Sequence, residues 1–199
     1  MRWSALSITT VVVSLLAAAP ARADDVSDRL DAARAAYGRG DALRALEGLQ
    51  AAEGVLTSRL AEQYARTLPP PPAGWDASPP DTQPLDSIGG GLTIERGYQK
   101  GQAALNASLI VDNPAVANVL ALFQPNAAAV AAGGWKSVKI GGEDALLRYD
   151  AANKEGELVF VLQGRAALQI EGSEIASEQA LLDLAQGWNV AQLRKLLGP

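Results

Sequence analysis

A chain of 199 residues with 17 basic and 22 acidic side chains has a formal charge of −5, and it contains neither histidine nor cysteine. The missing imidazole and thiol exclude together the commonest general base, the commonest metal ligand, a thiol nucleophile and a disulfide framework. The acidic balance argues against contact with nucleic-acid phosphates or anionic membrane surfaces, and the length suits one domain of ordinary size with a small appendage.

The chain opens with Arg2, an apolar stretch over residues 6–19 and the pattern Ala21-Arg22-Ala23. These predict a secretory signal peptide over residues 1–23, cut after Ala23. The apolar run falls short of the ~20 residues that cross a bilayer. The expectation is an exported, periplasmic protein with no stable membrane anchor once the leader is removed.

Residues 24–68 are rich in Ala, Leu, Arg and Glu, all good helix formers. Val26, Leu30, Ala33 and Tyr37 recur at helical spacing; Gly38-Arg39-Gly40-Asp41 interrupts; Leu43, Leu46, Leu49, Ala52, Leu56 and Leu60 resume the period. A helical hairpin is predicted. The spacing Ala33, Tyr37, Gly40-Asp41, Ala45, Leu49, Ala52 resembles one tetratricopeptide-type unit, with small residues where two helices approach closely. A single unit of that kind cannot bury its own face, so the hairpin either packs on the remaining domain or offers an apolar face to a protein partner.

The four prolines 69–72 stop the second helix, since each lacks an amide donor and restricts the residue before it. With Pro79-Pro80 and Pro84 following, residues 69–88 read as a stiff, extended linker. Trp75 stands out there as a large apolar side chain suited to docking against a folded surface.

Residues 89–199 read as the main domain. After Gly89-Gly90-Gly91, strand patterns over 92–96 and 102–111 make a hairpin across residues 97–101, and Asp112-Asn113-Pro114 has the form of a helix start. Val116, Val119, Leu120 and Phe123 give that helix its apolar stripe, and residues 126–132 add an Ala-rich turn. Trp135 leads into a meander over 135–172, in which Ser137-Val138-Lys139-Ile140 alternates, Gly141-Gly142 reverses the chain, and Ala145, Leu147 and Tyr149 share one face. Residues 158–162 are apolar on both faces, as in a central strand. Ser177 and Asn189 are suited to cap two closing helices. The fold class expected is α+β: a mostly antiparallel sheet of about six strands covered by helices and preceded by the hairpin.

The densest acidic set, Glu143, Asp144, Asp150, Glu155 and Glu157, lies around the meander turns and reads as solvated turns, without the spacing of a calcium loop. No nucleophile–base pair, cofactor motif or metal motif emerges. A non-enzymatic accessory or binding protein is therefore expected, with a carrier of a small apolar ligand as the alternative and a carboxylate-dependent enzyme as the third. The side chains expected to form an interaction surface are Tyr37, Trp75, Phe123 and Trp135.

The order of features (leader, Ala-rich hairpin, Pro72-Ala73-Gly74-Trp75, Gly89-Gly90-Gly91, Arg96-Gly97-Tyr98, Asp112-Asn113-Pro114, Ile140-Gly141-Gly142 and Tyr149-Asp150) resembles a family of uncharacterised exported proteobacterial proteins. That resemblance implies periplasmic localisation and assigns no activity. More loosely, a strand meander closed by a helix is similar to PsbP/Mog1-like domains, which implies a non-catalytic accessory fold.

Overall fold

The computed structural model describes residues 24–123 and 133–198. The leader expected at 1–23 and the Ala-rich turn expected at 126–132 lie outside these. The chain falls into two compact units, Met1–Val55 and Leu56–Pro199.

The first unit holds helix α1, Asp25–Gly38, and the start of helix α2, Ala42–Ala65. Between them Gly40 takes φ +80°, and Asp41 accepts a hydrogen bond from the Arg44 amide through Oδ1 at 3.1 Å, satisfying an early donor of α2. The helices meet along small residues: Val26, Ala33 and Ala36 are buried on α1, Ala45 and Ala52 on α2. A Cβ built on Gly48 would lie 2.9 Å from the Cβ of Ala33, so this glycine sets the closest approach. Alanine and glycine let the backbones come together where leucine would hold them apart.

The second unit is built on one eight-stranded antiparallel sheet. Its strands are β1 Asp76–Ala77, β2 Asp81–Pro84, β3 Leu92–Lys100, β4 Ala103–Val111, β5 Lys136–Ile140, β6 Glu143–Asp150, β7 Glu155–Leu162 and β8 Ala166–Ser173. The order across the sheet is β1-β3-β4-β8-β7-β6-β5, with β2 also pairing with β3. Helix α3, Ala115–Ala121, follows β4; helices α4, Gln179–Gln186, and α5, Val190–Leu197, follow β8.

The sheet has eight strands rather than about six because part of the stretch read as a linker pairs with β3: Asp76 lies opposite Gln99 and Asp81 opposite Glu95. Prolines are tolerated there because an edge strand leaves one side of its backbone without ladder partners. Residues 97–100 likewise continue β3 instead of forming a loop, and the turn tightens to Gly101 at φ +62°. The meander keeps the expected faces, with Ala145 and Leu147 fully buried and Tyr149 donating to the Ile175 carbonyl at 3.0 Å.

Alternation along the strands sends Leu105, Ala107, Leu109, Leu158, Phe160, Leu162, Leu168 and Ile170 into one apolar cluster. Leu181, Leu184 and Ala185 of α4, Leu193 and Leu197 of α5, and Tyr64 at the end of α2 close it. Trp188 and Phe160 pack nearly perpendicular with ring centroids 5.9 Å apart, a favourable geometry. The chain leaving α2 is tied to the sheet by Tyr98, whose hydroxyl donates to the Pro69 carbonyl at 2.6 Å.

Helix starts follow the sequence in two of three cases. Asn113 Oδ1 accepts from the Ala115 amide at 2.9 Å, while its Nδ2 donates to the carbonyls of Gly90 and Ile88. That fastens the glycine run, which is a built turn: a Cβ on Gly91 would stand 2.2 Å from the Val111 carbonyl oxygen. Asn189 accepts from the Gln192 amide at 3.1 Å. Ser177 does not cap α4; Glu178 occupies that position without a side-chain cap, and its carboxylate pairs with Lys136 instead.

Candidate functional site

The hairpin unit carries the feature least explained by folding alone. Its helices pack through alanines, and its large apolar side chains face solvent: Leu30 is 44% exposed, Leu46 52%, Leu49 51% and Tyr37 75%. With Val26, Ala33 and Ala36 facing α2, Leu30 follows Val26 by four residues and Tyr37 follows Ala33 by four, so each stands about 40° to one side of that seam residue. On α2 Leu49 stands about 40° from Ala45 in the same sense and Leu46 about 100°. In an antiparallel pair these offsets fall on one flank, so the four side chains share a face. With the leucines about half exposed and Tyr37 three-quarters exposed, they make a patch of about 400 Å², within the ~300–600 Å² typical of the largest patch on a monomer and often functional. Arg34, engaged by Asp31 at 3.8 Å, lies at the rim on α1. Glu53, four residues after Leu49 and seven after Leu46, falls on the same flank of α2.

Of the four side chains expected to form a surface, Tyr37 belongs to this flank. The other three lie in the second unit, which spreads them out. Trp75 is half-buried against the core where the chain enters β1, at one edge of the sheet. Trp135 precedes β5, at the opposite edge, and its ring lies over the Arg148 guanidinium at 4.6 Å. Phe123 packs against the core just beyond α3.

Four of the five acidic meander residues, all but Glu155, are engaged by neighbours. Glu143 pairs with Arg194, and Asp144 with Lys139 at 2.7 Å. Asp150 accepts from the Ala152 amide at 2.9 Å and from Asn153, whose hydrogen bonds hold its carboxyl below the ordinary carboxylate pKa. Glu157, paired across strands with Arg148, accepts from its Nε at 2.9 Å and from Gln169 at 2.8 Å; Gln169 also donates to Glu171 at 2.9 Å. Arg148, Glu157, Gln169 and Glu171 thus form a network on the sheet beside a shallow depression of about 680 Å³ that Asn106 and Ser173 also line. Sequence reading missed this network: Glu157 shares its strand face with Val159 and Val161, so no clean polar alternation marks it, and only the register of three strands brings the members together. Both Glu157 oxygens and Oε1 of Glu171 accept from the Arg148 and Gln169 nitrogens, and among the described residues no three potential ligands gather for a metal.

Compared with known family models, curated proteins and solved structures, the chain matches none. No helix among the described residues is long and apolar enough to cross a membrane.

Proposed function

We propose that this chain is an exported, non-enzymatic accessory or binding protein of the periplasm, delivered by a cleavable leader, whose helical hairpin docks a protein partner. One observation carries the reading: Leu30, Tyr37, Leu46 and Leu49 stand exposed on one flank of a helix pair that closes on alanine and glycine. A contiguous apolar patch of this size favours association. The resemblance of the motif order to uncharacterised exported proteobacterial proteins belongs to the same reading, as does the looser resemblance to PsbP/Mog1-like accessory domains.

Affinity capture from periplasmic extract with wild-type protein and with a Leu46→Asp/Leu49→Asp variant tests it. Both positions are exposed, so the variant should keep its helicity and melting temperature while losing its partners; identical partner sets would sink the proposal. A second reading, a carrier of a small apolar ligand, draws on a groove of about 550 Å³ in the second unit, lined by Thr57, Ala61, Ala65, Pro80, Pro84 and Leu92. Native mass spectrometry of freshly purified protein without a bound small molecule would remove it.

A further inference from the structure

We draw no further inference here: the strongest candidate, the carboxylate-lined depression of about 680 Å³ on the face of the sheet between Asn106 and Arg148, rests on an acidic cluster that Arg148 and Gln169 already engage, and nothing else in the structure points to a ligand there.

Discussion

Gly48 and Gly54 lie on the same helix, and replacing each by alanine separates intrinsic helix preference from packing. In an exposed helix interior, glycine to alanine stabilises by about 1 kcal/mol, because the glycine backbone loses more freedom on folding. At Gly54 a Cβ meets no atom within 4 Å, so Gly54→Ala should gain that full amount. At Gly48 the new Cβ would stand 2.9 Å from the Ala33 Cβ and 3.2 Å from its Cα, and backbone cannot swing aside as a long side chain can. Relieving such overpacking costs about 1–3 kcal/mol, so Gly48→Ala should end between neutral and about 2 kcal/mol destabilising. Native-state hydrogen exchange of the α1 amides reads the difference. Protection should rise about fivefold in Gly54→Ala and fall by up to about thirtyfold in Gly48→Ala, as about 1.4 kcal/mol corresponds to tenfold. Equal gains in protection from both substitutions would refute the alanine seam as the contact that holds the hairpin.

Three further outcomes are expected in the second unit. Leu181, fully buried, lies over the cross-strand pair Gly156 and Gly172; Leu181→Ala should cost about 2–5 kcal/mol by opening a cavity, read as the midpoint of urea unfolding. Gly156→Ala should cost about 1–3 kcal/mol, since its Cβ would meet Leu181 Cδ1 at 2.7 Å, and should cost measurably less in a Leu181→Ala background; additive losses would show that the two do not touch. Burial pushes the Tyr98 hydroxyl up to about 12 from an ordinary value of 10, against a smaller opposing pull from Arg96. The folded state therefore holds this proton more tightly than the unfolded chain. Its contribution is complete below pH 10 and is lost as pH rises towards 12. Tyr98→Phe should lose about 1 kcal/mol at neutral pH with the Pro69 hydrogen bond, and should flatten the decline between pH 10 and 12, leaving the part due to Tyr64, which burial also raises.

The parts of the fold that could be read from sequence are those in which one local signal decides the outcome. Alternation through Val138, Ile140, Ala145, Leu147 and Tyr149, broken by Gly141-Gly142, leaves a strand few choices, and the meander follows it. Strands β1 and β2 could not be read this way. They are two and four residues long and carry Pro84, so only pairing with β3 makes them strands. The exposed flank was hidden for a different reason. Periodicity marks Leu30 and Tyr37 with Val26 and Ala33, and Leu46 and Leu49 with Ala52, as apolar at helical spacing, but it does not say which of two adjacent stripes faces the other helix. Ranking by hydrophobicity favours the leucines; close approach of two backbones favours alanine and glycine, and at Gly48 close approach wins.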